Sequence, residues 1–428
     1  MQKIRKFNKL AINGGRPLFK FKNKHFIGKS ERKVAIKILK SGELSGFSAS
    51  ANQEFFGGKY VKLLEKNFRK KFKSKYAVAF NSATTALYSA IMSIKPEPGD
   101  EIITTPYTMH ATATSILQSN CIPIFAEVSQ DDFNLSPESV KSKITKKTKA
   151  IILVNLFGQS GRSKELMKIA QKNKITLIED NSQSPGAVTP HGMAGTVGDI
   201  GVFSFNRHKT IQSGEGGVML CKNKNHWLNA CLVRNHGEAV TKKFKVKNIA
   251  NTFGLNLRMT EIEAGIANEQ LKKLKKLNSI KQKNARSIVS VLKNFKFFEI
   301  PKAKSGYSNV FYFLPILYKK NNLGLKKSKL CQILSAEGLS FRDGYREPLY
   351  HEPVFKKKIG FGRSGWPFTL INKKRLRNIY NKKNFSNLEK IQNEKLIIFN
   401  QLNFDINKKI QKKLKQLMKE IIFYKHEF

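Results

Sequence analysis

One lysine in this sequence stands where an amine could do covalent chemistry. Lys209 lies between the apolar segment Val202–Phe205 and the glycine-rich segment Gly214–Gly217. An amine forms an imine with an aldehyde only when it is partly neutral, so its surroundings must lower its pKa, and the neighbouring Arg207 could contribute to this. In a chain with 79 lysines and arginines, this spacing alone favours an ordinary surface lysine.

A carboxylate follows a predicted strand at Leu177–Asp180. The carboxyl end of a parallel strand faces the crevice where ligands bind in such sheets. Asp180 could there keep a pyridine nitrogen protonated, which turns the ring into an electron sink. Taken alone, an aspartate that caps a helix at a loop is the more common interpretation.

Small polar residues separate a strand from a helix at Phe80–Leu87. The first turn of a helix offers free N–H groups and a positive dipole end to a phosphate, and Ser82 and Thr84 add hydroxyl donors. Taken alone, an ordinary helix cap is the more common interpretation of this segment.

From about residue 60 to 220 the sequence alternates between short apolar strands and amphipathic helices. This pattern predicts an α/β fold with a mainly parallel sheet covered by helices. The predicted strands are 76–80, 101–105, 122–128, 150–155, 175–178 and 309–317, and the predicted helices are 84–94, 164–173, 259–276 and 405–419. We expect a large domain over residues 1–280, including an N-terminal segment, and a smaller C-terminal α+β domain over residues 281–428.

The order of these features, phosphate turn, acidic strand end, then lysine before a glycine-rich turn, resembles the DegT/StrS-type sugar aminotransferases, a branch of the fold-type I pyridoxal-phosphate enzymes. Further matching segments are Leu10–Gly15, Leu44–Phe47, Phe56–Gly58, Pro106–Ala111, Leu156–Gln159, Gly198–Gly201, Arg234–Gly237 and Asn256–Glu261. The resemblance is dense over the first 280 residues and faint beyond them.

The resemblance implies that pyridoxal 5'-phosphate is the cofactor and that Lys209 binds it covalently. It places Asp180 on the pyridine nitrogen and Gln183 beside the ring near its phenolic oxygen. Met109 would lie over the ring, where many relatives have an aromatic residue.

The resemblance also implies that Ala83, Thr84 and Ser204 hold the cofactor phosphate. Many relatives have glycine in place of Ala83. Asn256 would reach this phosphate from a neighbouring subunit, so a homodimer is expected.

The implied reaction moves an amino group from glutamate or glutamine to a keto sugar, which we expect to be linked to a nucleotide. An inosose-type cyclitol ketone is an alternative acceptor. A sub-branch with histidine in place of the lysine dehydrates sugars, and Lys209 argues against that activity. His208 is expected to be a loop residue, and no metal site is predicted.

The formal net charge of +49 could indicate a nucleic-acid surface, a regulatory protein or an anionic substrate. Because the lysines are spread through nearly every predicted helix and loop, we interpret them as a solvated surface and expect no nucleic-acid partner. No apolar run reaches the roughly 20 residues of a membrane span, and the start, Met1 to Gly15, is too short for a secretory core. Four widely spaced cysteines predict neither disulfides nor a zinc site. We expect a cytoplasmic protein.

A literal GxGxxG at residues 360–365 suggests a dinucleotide-binding oxidoreductase. That fingerprint needs a preceding strand and a following helix. Here Lys356–Lys358 precede it and Trp366–Pro367 follow it, so this function is rejected.

Overall fold

The computed structural model describes residues 9–21 and 26–428. Residues 1–8, part of the N-terminal segment judged too short for a secretory core, lie outside this range. The strands are β1 Tyr76–Phe80, β2 Glu101–Thr104, β3 Ile122–Phe125, β4 Thr148–Val154, β5 Thr176–Asp180, β6 Val188–Thr189, β7 Gly192–Met193, β8 Ile200–Ser204, β9 Gly217–Cys221, β10 Phe298–Glu299, β11 Leu314–Tyr318, β12 Phe341–Asp343 and β13 Leu396–Phe399.

The α-helices alternate with these strands in the first half of the chain. They are α1 Lys29–Ser41, α2 Lys59–Phe72, α3 Ala83–Ser93, α4 His110–Gln118, α5 Pro137–Lys143, α6 Ser163–Lys172, α7 Lys224–Arg234, α8 Glu261–Leu292, α9 Lys327–Ala336, α10 Pro353–Lys357, α11 Lys373–Ile379, α12 Ser386–Lys390 and α13 Lys408–Tyr424.

The large sheet has the strand order β1-β9-β8-β5-β4-β2-β3 among the described residues, and β9 runs antiparallel to both of its neighbours. The pairs β8–β5, β5–β4, β4–β2 and β2–β3 are parallel. Alternate residues of β4 pack into different apolar cores on the two faces, which is why its sequence is nearly continuously apolar. The predicted α/β fold with a mainly parallel sheet is confirmed.

A second sheet, with the antiparallel order β10-β11-β13-β12, lies in the C-terminal part. Helices α9 and α13 cover it, and Leu10 and Phe19 from the N-terminal segment pack into the same core. The long helix α8 joins the two parts of the chain and runs through residues 280 and 281. The division into units of residues 1–280 and 281–428 stays a prediction.

Several element ends differ from the sequence expectation. The helix expected at 259–276 begins at Glu261 and continues to Leu292. Thr260 and Glu263 form a reciprocal capping box that fixes its start, and buried positions recur along its whole length. The strand expected at 309–317 is only Leu314–Tyr318, because residues 309–313 turn toward the segment after β4, where Val310 donates a backbone hydrogen bond to the Gly158 carbonyl.

The cysteines, the glycine-rich residues 360–365 and the helix lengths bear on three further expectations from the sequence. All four cysteines are free and buried. Residues 360–365 form a turn, in which Phe361 pairs with Trp366. In the described part of the chain, no helix has the length and apolar character needed to cross a membrane.

A buried ion pair fixes the edge strand that leads into α3. Arg234 is fully buried, and its Nη1 donates to Glu65 Oε1 at 2.8 Å and to the Ala79 carbonyl at 3.1 Å. The same carboxylate oxygen accepts the Ala79 N–H at 2.9 Å. Burial raises the pKa of Glu65, and the charge of Arg234 opposes that rise.

Arg234→Leu is expected to lower the free energy of unfolding by about 3–5 kcal/mol, because it leaves the Glu65 carboxylate buried without its counter-charge. Urea unfolding measures the change. Arg286, which is exposed on α8, gives the matched control, and Arg286→Leu should change stability by less than about 0.5 kcal/mol. Equal effects of the two substitutions would contradict a structural role for the pair.

Candidate active site

A cavity of about 660 Å³ lies at the carboxyl ends of the parallel strands, between the large sheet and the C-terminal part. Seven of the eight residues predicted to bind the cofactor line it: Ala83, Thr84, Met109, Asp180, Gln183, Ser204 and Lys209. The structure therefore brings together residues that are up to 126 positions apart in the sequence.

Lys209 enters the cavity from a tight turn after β8. Its backbone N–H donates to the Asn206 carbonyl at 2.8 Å, and Arg207 N–H donates to the Gly214 carbonyl at 3.0 Å. The Lys209 Nζ lies 5.0 Å from the centroid of the Tyr312 ring. Loss of solvation lowers the pKa of the Lys209 amine.

Two charged groups change the pKa of this amine in opposite directions. The Asp180 carboxylate raises the pKa of Lys209, and the Arg346 guanidinium lowers it. Arg207, the residue suggested by the sequence, is exposed, and its Nε lies 3.2 Å from His208 Nε2. Arg346, from the C-terminal part, is thus an electrostatic neighbour that favours a neutral lysine.

Asp180 ends β5 and is 6% exposed. Its Oδ2 accepts the Thr112 hydroxyl hydrogen at 2.9 Å, and its Oδ1 accepts the Ser182 N–H at 3.1 Å. No ion pair joins this carboxylate to a cation in residues 9–21 and 26–428. A buried carboxylate with neutral donors alone suits a protonated ring nitrogen from a ligand.

The turn into α3 has the features of a phosphate site. Ser82 caps the helix by accepting the Thr85 N–H at 3.1 Å, so the N–H groups of Ala83 and Thr84 remain in the unpaired first turn. Ser204 ends the neighbouring strand β8. A Cβ at Gly217 would lie 2.7 Å from the Ala83 nitrogen, so only glycine lets these backbones meet.

Gln183 and Met109 lie at different depths of the cavity. Gln183 Oε1 accepts the Phe157 N–H at 2.9 Å, and its Nε2 donates to the Tyr345 hydroxyl at 3.0 Å, which fixes the amide orientation. Met109 is 46% exposed and caps α4, where its Sδ accepts the Ala111 N–H at 3.0 Å. Met109 is therefore a residue of the cavity mouth, and not of the core below it.

Asn256 lies outside the cavity of its own chain. It is exposed, and its Oδ1 accepts the Arg258 Nε hydrogen at 2.8 Å. The same segment exposes Phe253 and Leu255. A role for Asn256 in a neighbouring subunit's site stays a prediction.

The C-terminal part supplies cavity residues that the sequence did not reveal. They are Tyr312, Phe313, Arg342, Tyr345, Arg346, Asn400 and Asn403, and Lys281 of α8 lines the cavity with them. The family resemblance is faint there, and no local motif marks these residues. His208, expected to be a loop residue, lies in the loop before Lys209 and also lines the cavity.

The arrangement fits pyridoxal phosphate in three respects: an amine of lowered pKa, an unpaired buried carboxylate, and a helix N-terminus beside a serine hydroxyl. The described residues include no group of three or more His, Cys, Asp or Glu side chains that could hold a metal ion.

Known proteins with similar sequences include enzymes that act on sugars or cyclitols. A relative from Escherichia coli O55:H7, GDP-4-keto-6-deoxy-D-mannose 3-dehydratase, is 32% identical over 67% of this chain and 78% of its own length. A putative L-glutamine:3-amino-2,3-dideoxy-scyllo-inosose aminotransferase from Micromonospora echinospora is 27% identical over 81% of this chain and 82% of its own.

A solved aminotransferase from Psychrobacter cryohalolentis has the same fold, with a TM-score of 0.79 at 22% identity over 95% of this chain and all of that one. The family model of the DegT/DnrJ/EryC1/StrS aminotransferases matches residues 43–369. With Lys209 and Asp180 among the residues that line its cavity, the chain belongs to this aminotransferase family and is a pyridoxal-phosphate-dependent transaminase.

Proposed function

We propose that this enzyme transfers an amino group from glutamate or glutamine to a keto sugar linked to a nucleotide, for the synthesis of an amino sugar. The main support is that the Lys209 amine and the Asp180 carboxylate line one cavity together with the N-terminus of α3. An amine that can gain and lose a proton there is what amino transfer requires.

In the proposed reaction, the bound cofactor supplies an electron sink for the substrate carbon that loses its proton. Lys209 binds the cofactor, and its freed amine takes and returns that proton. Asp180 keeps the ring nitrogen protonated. The N–H groups of Ala83 and Thr84 would hold the phosphate with the Ser204 hydroxyl, and Gln183, whose amide accepts the Phe157 N–H, would lie beside the ring.

Amino transfer is favoured over dehydration by the residue at position 209. One relative is a dehydratase by name. In the family's dehydrating sub-branch a histidine replaces the lysine, and a lysine stands here. A lysine amine can both bind the cofactor and move the proton between the two carbon atoms, so Lys209 supports transamination.

The charges at the cavity support an anionic acceptor. Arg342 and Arg346 line the cavity, and neither has an acidic partner among the ion pairs of the described residues. Guanidinium groups bind phosphate and carboxylate oxygens in a fork geometry. The dehydratase relative acts, by its name, on a keto sugar joined to GDP, which supports the nucleotide-linked class.

A cyclitol ketone is the second candidate acceptor. The relative from Micromonospora echinospora is named for an inosose substrate and L-glutamine as donor. An inosose carries no diphosphate, so the two candidates differ in whether the unpaired arginines contact the acceptor.

We further propose a homodimer in which Asn256 of one subunit reaches the cofactor phosphate of the other. Asn256 is exposed beside the apolar side chains of Phe253 and Leu255, and an exposed apolar segment of this kind is suited to burial against a second copy.

Borohydride reduction of the purified protein should fix the cofactor on Lys209, because its amine lines the cavity and lies within the electrostatic reach of Asp180. Peptide mapping by mass spectrometry locates the adduct. Lys209→Ala, as control, should give no adduct at that peptide. A cofactor label on another lysine of the wild-type protein would reject the assignment.

An activity screen with glutamate or glutamine and a panel of nucleotide-linked keto sugars should show formation of an amino sugar. Lys209→Ala should reduce turnover by at least about a thousandfold, because the proton-transfer group is lost. Mass spectrometry of the products measures both. Turnover with an inosose alone would favour the second candidate, and loss of water without gain of nitrogen would contradict transamination.

Mixing inactive Lys209→Ala subunits with inactive Asn256→Ala subunits should restore roughly a quarter of the wild-type activity. Half of the random dimers are mixed, and each mixed dimer has one site with both residues intact. Activity is measured after denaturation and co-refolding, with each variant refolded alone as control. Absence of recovery in mixed dimers that are shown to form would contradict the shared site.

A further inference from the structure

A second lysine lies beside Lys209 inside the protein. Lys281, on α8, is 5% exposed, and its Nζ donates to the Thr210 hydroxyl at 3.0 Å. Its Nζ also lies 5.5 Å from the centroid of the Tyr312 ring, the same ring that lies 5.0 Å from Lys209 Nζ. Thr210 follows Lys209 directly in the chain, so both contacts tie Lys281 to the catalytic turn.

This second cation has no acidic partner. No ion pair in the described residues includes Lys281, although lysines are rarely buried unless they are paired. Its hydrogen bond to a neutral hydroxyl and its contact with an aromatic ring stabilise an ammonium group only in part. Burial, followed by the charge of Lys209, lowers the pKa of Lys281 to about 8.

The other charged and titratable groups around the two lysines come from several elements. They are Asp180 at the end of β5, Tyr312 before β11, Arg342 in β12, Tyr345 and Arg346 after β12, and His208 and Glu215 in the loop that carries Lys209. Asp180 favours a protonated Lys209, and Arg346 disfavours it. The fraction of Lys209 that is protonated therefore depends on how many cations face its amine.

We propose that Lys281 is a positioning residue for Lys209: a buried cation, anchored by Thr210 and Tyr312, that disfavours a positive charge on the Lys209 nitrogen. The inference rests on the proposed role of Lys209. A second cation close to an amine is a known way to make a lysine neutral and nucleophilic. The two groups titrate as a coupled pair, because protonation of one raises the cost of protonating the other.

The proposal also accounts for the position of Asp180. When that carboxylate pairs with the ring nitrogen of the bound cofactor, its charge is no longer free to stabilise a Lys209 ammonium. Arg346 and Lys281 are then the neighbouring charges that disfavour a positive charge on the Lys209 nitrogen. The amine is neutral at the stage at which it must accept a proton.

The test measures protonation of the Lys209 nitrogen in the cofactor-loaded enzyme by visible absorption, since the band of lysine-bound cofactor moves when the linking nitrogen loses its proton. Lys281→Met should raise the midpoint of this pH titration by at least about one pH unit, because removal of a like charge favours the protonated nitrogen. Lys281→Arg should restore a midpoint close to that of the wild type.

Two further variants make the result specific. Lys283→Met removes a cation from the exposed surface of the same helix and should leave the midpoint unchanged, because water and salt screen that charge. Lys281→Gln removes the charge but keeps a hydrogen-bond donor for Thr210, and it should raise the midpoint as Lys281→Met does. It also serves as the charge-free variant if the methionine protein does not fold.

An unchanged midpoint in a folded Lys281→Met or Lys281→Gln protein would overturn the inference. An equal shift in Lys281→Arg would also overturn it, since it would show that shape and not charge is responsible. Borohydride mapping of the wild-type enzyme separates the two hypotheses: a missing adduct at Lys209 rejects the proposed function, whereas an adduct with an unshifted midpoint rejects only the role of Lys281.

Discussion

The active site depends on the close backbone contact between the start of β9 and the start of α3. Gly217 pairs with Phe80 at the end of β1 and with Ser204 at the end of β8. A side chain at Gly217 would collide with the Ala83 nitrogen. Because one residue without a Cβ joins the two strand ends, the turn that we propose to bind the cofactor phosphate lies beside the turn that carries Lys209.

The C-terminal part supplies one side chain that orients Gln183 and another that lowers the pKa of Lys209. Tyr345 holds the Gln183 amide, and Arg346 disfavours a charge on Lys209. Tyr107 links the same region to the large domain by donating from its hydroxyl to Gln392 Oε1 at 2.6 Å. Residues from both parts of the chain therefore line the cavity.

The lysines of this protein differ in whether water solvates their charge. The net charge of +49 comes mostly from solvated lysines, whose long side chains cover the surface at little cost. Lys209 and Lys281 are exceptions, because they lie inside the cavity with the Tyr312 ring and lack an acidic partner in direct contact. Desolvation changes their chemistry, and composition alone cannot distinguish them from the others.

The amino-acid sequence was enough to predict the α/β fold, the glycine-rich turn after Lys209, a strand at 175–178 that leads into Asp180 and a helix from Thr84, because strand periodicity, glycine turns and caps are local properties. The structure extends that strand to Asp180 and begins the helix at Ala83. The sequence did not determine that α8 would run on to Leu292 or that residues 309–313 would turn toward the segment after β4. Only the tertiary structure placed Lys281, Tyr312, Arg342 and Arg346 at the cavity. Their contribution depends on burial and on distances between segments far apart in the chain, and no local pattern encodes either.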